Sequence, residues 1–82
     1  MPYVYTLKSK NFPKTYTGST IDINRRIVEH NGGKNIFTRR YAPWVVIYKE
    51  TFDNLSSARK REKYLKSAAG RRFIKQNNII PR

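Results

Sequence analysis

The residue with the clearest chemical meaning in this sequence is Glu62, one of five acidic residues among 82. It lies in the segment 54–70, whose apolar residues recur at the three- and four-residue spacing of one helical face: Leu55, Ala58, Leu65 and Ala69. Glu62 falls in the middle of that face. A carboxylate directed inward in a chain of formal net charge +13 needs a partner, and a bound divalent cation would supply one.

Arg26 and His30 share a face of an earlier predicted helix. Ile23 and Ile27 mark that face as the inward one, whereas Arg25 points nearly opposite. The fixed donors of a guanidinium suit a phosphate group. A snorkelling arginine whose stem covers apolar surface is the alternative, and the helical pattern leaves both interpretations of Arg26 open.

Tyrosine is unusually frequent, with six among 82 residues. Tyr3, Tyr5 and Leu7 share one face of the first predicted strand, and Tyr16 and Gly18 share a face of the second. Packing is the usual role of such tyrosines, but a tyrosine can also transfer a proton when a neighbouring cation lowers its pKa. Gly18 weakens its strand, which favours the close approach of a ligand at that point.

These residues must be positioned by a short series of elements. The pattern predicts strands at 3–8, 15–19 and 44–50, a helix at 23–30 after an Asp22 N-cap, and helices at 54–70 and 71–77. Residues 31–33 end the first helix, and the basic stretch 34–43 is irregular or partly helical. The order β-β-α-β-α-α predicts an α/β (α+β) fold with a small, mainly antiparallel three-stranded sheet flanked by helices.

The composition predicts one small domain over residues 1–82 that binds a polyanion. Lys and Arg number 18 against five acidic residues, which favours nucleic acid over an anionic membrane or a surface that serves only solubility. There is no cysteine, so disulfides and thiolate metal sites are excluded. Neither a signal peptide nor a membrane-spanning run is evident, and a cytoplasmic location is the default expectation.

The ordered motifs resemble those of the GIY-YIG nuclease domain over nearly the whole chain. They are Tyr3-Val4-Tyr5, Tyr16-Thr17-Gly18, Arg26 with His30, and Glu62 on a later helix. The run 57–66 followed by Gly70-Arg71-Arg72 is similar to a small single-domain bacterial subgroup related to the excision-repair nuclease C subunit. Tyr3 replaces the first glycine of the family pattern, Thr17 replaces isoleucine, and Ser19 stands where many of these nucleases carry lysine.

The resemblance implies a metal-dependent endonuclease that hydrolyses phosphodiester bonds in DNA, either structure-selective or weakly sequence-specific, in DNA repair or processing. It implies that Glu62 binds Mg²⁺ or Mn²⁺ and that Arg26 stabilises charge on the scissile phosphate. Tyr5 and Tyr16 would activate or orient the attacking water in a division of labour left open, and His30 would support the site. A C-terminal asparagine of the family matches Asn77 or Asn78 loosely.

Nucleic acid, DNA rather than RNA, is the expected partner. The candidate contacts are Gly18, Lys34, Arg39, Arg40, Arg59, Lys63, Arg71 and Arg72. Phe37, Tyr41 and Trp44 could stack on unpaired bases, although core packing is the favoured interpretation of Phe37 and Trp44.

Two further readings remain open. In the alternative function, the chain is a non-catalytic basic nucleic-acid-binding module whose Glu62 pairs internally with Arg26 or another cation. A protein partner or a homodimer is also possible, and Ile79-Ile80 is a weak hint of association.

Overall fold

The computed structural model of the protein describes residues 1–77. Within them lie three strands and four helices. These are β1 (Tyr3–Ser9), β2 (Thr15–Thr20), α1 (Ile23–Gly32), α2 (Ile36–Arg40), β3 (Trp44–Thr51), α3 (Leu55–Leu65) and α4 (Ala68–Asn77). The predicted order of elements is confirmed, with the short helix α2 added in the basic stretch. Asn78 and the Ile79-Ile80 pair lie outside the described residues, and none of the helices within residues 1–77 is long and apolar enough to cross a membrane.

The three strands form one antiparallel sheet in the order β2-β1-β3. The central strand β1 is the most buried, with residues 4–7 all buried. Tyr5 lies opposite Gly18 of β2 and Lys49 of β3. The predicted small antiparallel sheet is therefore confirmed, and Tyr5 stands at its centre.

The side chains of β1 alternate between two apolar clusters, one on each face of the sheet. Val4 packs with Ala58 and Leu65 of α3 and with Ile74 of α4. On the other face Tyr5 and Leu7 pack with Ile23 of α1 and with Trp44. Helices α3 and α4 thus cover one face of β1, and α1 covers the other.

Helix α1 begins and ends at the predicted signals. The Asp22 carboxylate accepts a hydrogen bond from the Arg25 backbone N–H at 3.1 Å, which satisfies one of the free donors of the first turn. The helix runs to Gly32, two residues beyond its predicted end, and Gly33 terminates it with a φ of +91°. This start and length place Arg26 and His30 one turn apart.

The predicted helix over 54–70 is wrong at its C-terminal end. Helix α3 stops at Leu65, and α4 starts at Ala68, before Gly70. The break occurs because Ser67 caps the new helix, its hydroxyl accepting the Gly70 N–H at 3.2 Å and its carbonyl accepting the Arg71 N–H at 2.9 Å. Ala69 is consequently exposed instead of facing the core.

Gly70 allows α4 to cross closely over the end of α3. A Cβ placed on Gly70 would collide with the Tyr64 carbonyl oxygen and with the Leu65 backbone. These atoms belong to the main chain and cannot swing aside as a side chain could. Gly70 is thus a packing requirement for the α3–α4 corner.

We expect Gly70→Ala to lower the free energy of unfolding by about 1–3 kcal/mol, the usual cost of forcing extra volume into a packed site. Urea denaturation followed by circular dichroism measures the change. Gly32→Ala is the matched control, because a Cβ there meets nothing within 4 Å and the residue is helical. Equal stability of the two variants would contradict the close crossing.

Candidate active site

Tyr5 projects from the central strand into a fully enclosed position. Its side chain is 0% exposed, and its hydroxyl lies 3.0 Å from Nε2 of His30 on α1. The hydroxyl also interacts with the Arg26 guanidinium, one helical turn before His30. A strand and a helix from different parts of the chain therefore meet at one phenol.

Gly18 makes room for that phenol. It lies opposite Tyr5 in the sheet, and a Cβ on Gly18 would stand 2.7 Å from the Tyr5 hydroxyl oxygen and 3.2 Å from the Tyr16 ring. Any side chain at this position would displace the Tyr5 hydroxyl from His30. The space above Gly18 is thus occupied by the protein's own tyrosine, whereas the sequence pattern favoured the approach of a ligand.

His30 is held on both of its ring nitrogens. Nδ1 lies 2.9 Å from the Thr38 hydroxyl, which is positioned to donate to the Asn35 carbonyl at 3.4 Å. With that donation made, the Thr38 oxygen accepts from Nδ1–H, and Nε2 is left to accept the proton of Tyr5. Burial lowers the pKa of His30, and the nearby Arg26 charge lowers it further, so the ring is neutral at pH 7.

The pKa of Tyr5 is raised above its ordinary value. Burial is the main cause, and the Tyr16 phenol and the Glu62 carboxylate act in the same direction, while the Arg26 guanidinium opposes them. Tyr5 is consequently a protonated phenol at neutral pH, and any base chemistry at its oxygen requires its proton to move to His30. Tyr16, Arg26 and Glu62 thus all influence the pKa of Tyr5.

Tyr16 is the more accessible of the two motif tyrosines. It is partly buried on the edge strand β2, with its ring centroid 4.8 Å from that of His30 and 6.4 Å from that of Tyr5. The two tyrosines thus flank the same imidazole at different depths.

Arg26, which interacts with Tyr5, is paired with a carboxylate that the sequence analysis missed. Its Nη1 lies 2.8 Å from Glu29, which also contacts Arg25 at 3.3 Å. The Arg26 side chain is 35% exposed, so it remains reachable from solvent. The three- and four-residue spacings of this triad are a known signal for helical ion pairs, and that signal could have identified Glu29.

Glu62 approaches the site from the other side of the sheet. Ser19 alternates with Gly18 and so faces α3, where its hydroxyl donates to Glu62 Oε1 at 2.6 Å. Because Ser19 lies on the edge strand β2, the Glu62 carboxylate that it binds lies near the rim of the sheet. The candidate site therefore straddles the β2 edge, with Tyr5, Tyr16 and His30 on one face and Glu62 on the other.

Lys66 supplies the second partner of Glu62. Its ammonium lies 2.8 Å from Oε2, at the four-residue spacing typical of helical ion pairs. Burial alone would raise the pKa of Glu62, but the hydrogen bonds from Lys66 and Ser19 outweigh it and lower the pKa overall. Glu62 is therefore ionised at neutral pH and carries the charge that a divalent cation requires.

The carboxylate fits a cation that keeps most of its water. Glu62 is 22% exposed, so a hydrated ion can reach it. No cluster of three or more His, Cys or acidic side chains occurs within residues 1–77. Such a donor set suits Mg²⁺ or Mn²⁺ sharing its coordination with a phosphate, and does not suit a metal held entirely by protein ligands.

The basic candidates for nucleic-acid contact are all exposed. They are Lys34, Arg39 and Arg40 around α2, Arg59 and Lys63 on α3, and Arg71 and Arg72 on α4. Lys34 lowers the pKa of Glu29 and Arg59 that of Glu62, which places both cations near the site. The described part of Asn77 is its backbone at the end of α4, so its proposed role stays a prediction.

The aromatic candidates divide into two groups. Trp44 is 2% exposed, and its indole N–H donates to the Thr38 carbonyl at 2.6 Å, which confirms the core interpretation. Phe37 is 44% exposed, so the core interpretation is wrong for it. It lies on a helix of only five residues, on which Thr38 is the buried residue. No sequence signal identified Thr38 as the partner of His30.

Comparison with known proteins shows the family to which the chain belongs. The family model described as the GIY-YIG catalytic domain matches residues 1–77. The UPF0213 protein SSP2268 of Staphylococcus saprophyticus is 36% identical over 74 residues, with 89% of each chain covered. A UPF0213 protein of Syntrophus aciditrophicus is 40% identical over 81 residues, with 92% of this chain and 91% of the relative covered.

The same relationship is seen among solved structures. The solution NMR structure of the UPF0213 protein BH0048 from Bacillus halodurans is 31% identical and matches with a TM-score of 0.55. The match covers 93% of this chain and 84% of that one. The chain therefore belongs to the GIY-YIG family of nuclease domains and resembles its small UPF0213 members.

Proposed function

We propose that the protein is a metal-dependent endonuclease that hydrolyses phosphodiester bonds in DNA. The observation that carries the proposal is the buried contact of Tyr5 with a neutral His30, beside Arg26 and across the sheet edge from Glu62. This arrangement combines a proton acceptor, a cation for phosphate and an ionised metal ligand. A role in DNA repair or processing fits such an activity.

Tyr5 is the proposed relay for the proton of the attacking water. As the water oxygen bonds to phosphorus, its proton passes to the Tyr5 oxygen while the Tyr5 proton passes to His30 Nε2 across 3.0 Å. The bond from phosphorus to the leaving oxygen breaks, and that oxygen takes a proton from solvent. This coupled transfer avoids a free phenolate, which the raised pKa of Tyr5 disfavours.

Arg26 would control the access of water to the Tyr5 hydroxyl. In the structure it interacts with the Tyr5 hydroxyl and pairs with Glu29. A phosphate of the DNA backbone would draw the guanidinium away from Tyr5, because the two non-bridging oxygens of a phosphodiester offer it paired acceptors. Water would then reach Tyr5 only when substrate is bound, and the displaced Arg26 would stabilise the charge that develops on the phosphate.

Glu62 is the proposed ligand for Mg²⁺ or Mn²⁺. A metal bound there would polarise the phosphate and stabilise its developing charge. Ser19 holds Oε1 in place, and Lys66 neutralises Oε2 until a cation replaces its ammonium. Ser19, which stands where many relatives carry lysine, thus has a positioning role through Glu62.

A second candidate function is a binding module without catalysis. The satisfied state of Glu62 favours it, because Ser19 and Lys66 already occupy both carboxylate oxygens. In that case Glu62 serves to attach α3 to β2, and the exposed cations bind phosphates without metal. Of the internal partners that the sequence analysis allowed, Arg26 or another cation, the structure has Lys66.

We expect Glu62→Gln to abolish Mg²⁺- and Mn²⁺-dependent nicking of supercoiled DNA, because an amide binds a divalent cation poorly. The amide still accepts a hydrogen bond from Ser19, so folding and salt-sensitive DNA binding should change little. Glu50→Gln is the control, since Glu50 pairs with Arg61 at 2.8 Å on β3. Nicking by Glu62→Gln at the wild-type rate would exclude this carboxylate as the metal ligand.

The pH dependence of cleavage tests the relay. We expect the rate to fall as the pH drops through the pKa of His30, which lies below its ordinary value of 6.5, because protonated Nε2 cannot accept from Tyr5. Burial of neutral His30 also makes the fold lose stability at pH values below 6.5, so circular dichroism must confirm the folded state at each point.

Tyrosine variants separate the two motif residues in the same assay. Tyr5→Phe should lose about 100-fold or more in rate, in line with the loss of general base catalysis, and its rate should no longer fall at low pH. Tyr16→Phe should retain the fall in rate at low pH. The reverse pattern would assign the relay to Tyr16.

Removal of Lys66 should strengthen metal binding. We expect Lys66→Met to lower the Mn²⁺ dissociation constant up to about 5-fold, because a half-exposed ion pair of this kind contributes up to about 1 kcal/mol. Electron paramagnetic resonance of free Mn²⁺ gives the constant without any cleavage. Lys63→Met removes an exposed charge beside Glu62 that is not paired with it and is the matched control; an equal effect would indicate general charge only.

A further inference from the structure

Four aromatic rings run outward from the candidate site in an unbroken row. Starting at Tyr16, the centroid distances are 6.4 Å to Phe37, 5.2 Å from Phe37 to Tyr41 and 5.3 Å from Tyr41 to Phe12. We call these four residues the ring row. Its inner end contacts the imidazole of His30, with the Tyr16 and His30 centroids 4.8 Å apart.

Two rings of the row, those of Phe12 and Phe37, lie at the surface, whereas Tyr41 packs partly against the core. Phe37 and Phe12 are each 44% exposed, whereas Trp44 behind Phe37 is 2% exposed. Phe37 contacts the rings of Tyr16, Tyr41 and Trp44, yet it remains largely open to solvent because Trp44 fills the core position at this corner. Exposed aromatic rings grouped beside a site mark a surface that another molecule covers.

The charge around the ring row identifies the chemistry of that molecule. The Lys14 ammonium lies 5.4 Å from the Tyr41 ring centre, and Lys34, Arg39 and Arg40 are exposed on the segment that carries Phe37. No acidic residue occurs between Lys34 and Tyr41. Flat rings among cations suit a strand whose bases stack and whose phosphates are neutralised.

We propose that the ring row binds unpaired bases of the DNA strand that is cut, with Phe37 as the principal stacking residue. The proposal rests on the proposed function, in which Arg26 contacts the scissile phosphate. A base in a continuous duplex has both faces covered by its neighbours, so only a base in a single-stranded tail, gap or branch can stack on Phe37. The ring row would thus select DNA with unpaired nucleotides next to the cut.

Binding in EDTA tests the proposal without any cleavage. The probes are a duplex with a single-stranded tail that contains 2-aminopurine and a blunt duplex of equal length, at one low salt concentration. We expect Phe37→Ala to weaken binding of the tailed duplex about 10-fold, as is typical for loss of a stacking ring. Binding of the blunt duplex should change less than 2-fold, and the quenching of 2-aminopurine should be lost.

Two variants control for folding and for general apolar loss. Phe37→Tyr keeps a ring and should bind like wild type, whereas Ile36→Ala removes a 73% exposed apolar side chain next to the ring row and should change neither probe. Phe12→Ala, at the outer end, provides a second test if Phe37→Ala unfolds. The proposal is overturned if Phe37→Ala weakens binding of both duplexes equally or leaves binding of the tailed duplex unchanged. It is also overturned if the ring row binds a protein but not DNA.

The outcome is distinct from that of the proposed function. If wild type nicks DNA in Mg²⁺ but Phe37→Ala binds the tailed duplex normally, the proposal that the ring row stacks on bases is wrong and the proposed nuclease activity is supported. If neither Mg²⁺ nor Mn²⁺ supports cleavage of any substrate while Phe37 remains necessary for binding of the tailed duplex, the proposed nuclease activity is wrong and base stacking on the ring row is supported. If wild type cleaves the tailed duplex faster than the blunt one and Phe37→Ala loses this preference, both proposals are supported.

Discussion

The hydrogen bond between Tyr5 and His30 is the interaction on which the site depends. It joins the central strand to α1, and His30 extends the connection through Thr38 to α2. A bond of this kind adds only about 0.5–1.5 kcal/mol to stability, but breaking it leaves buried polar atoms unpaired at a cost of about 1–3 kcal/mol. Trp44, which donates to the Thr38 carbonyl, brings the start of β3 into the same network.

Two glycines make that arrangement possible by leaving space for other groups. Gly18 leaves space for the Tyr5 hydroxyl, and Gly70 leaves space for the end of α3 under α4. The first determines where the phenol lies, and the second lets α4 pack against the helix that carries Glu62. In both cases backbone freedom matters less than the missing Cβ, since Gly33 is the glycine with a positive φ.

The sequence predicts most of this fold because its signals are local. Alternation identifies the strands, Asp22 and Gly33 delimit α1, and the spacing of motifs identifies the family. The sequence does not predict the break between α3 and α4, although Ser67 makes it through local bonds, because Ser67 lies inside a stretch of good helix formers. The other errors arise where contacts outside any local pattern decide. His30 is paired with Thr38, with which it shares no sequence pattern, and Phe37 is exposed at a corner where Trp44 is the buried ring.

The separation of Glu62 from the tyrosines by the sheet has a consequence for metal binding. A single carboxylate at a rim holds a hydrated divalent cation weakly, and Lys66 competes for it. A phosphate lying across the β2 edge would supply the further oxygen ligands and would draw Arg26 from Tyr5 at the same time. Metal, substrate and proton relay would then assemble together, because each of the three is incomplete alone. Such coupling would limit cleavage to the site. Phosphates bound elsewhere on the cationic surface of the protein would meet neither the uncovered phenol nor a firmly held metal.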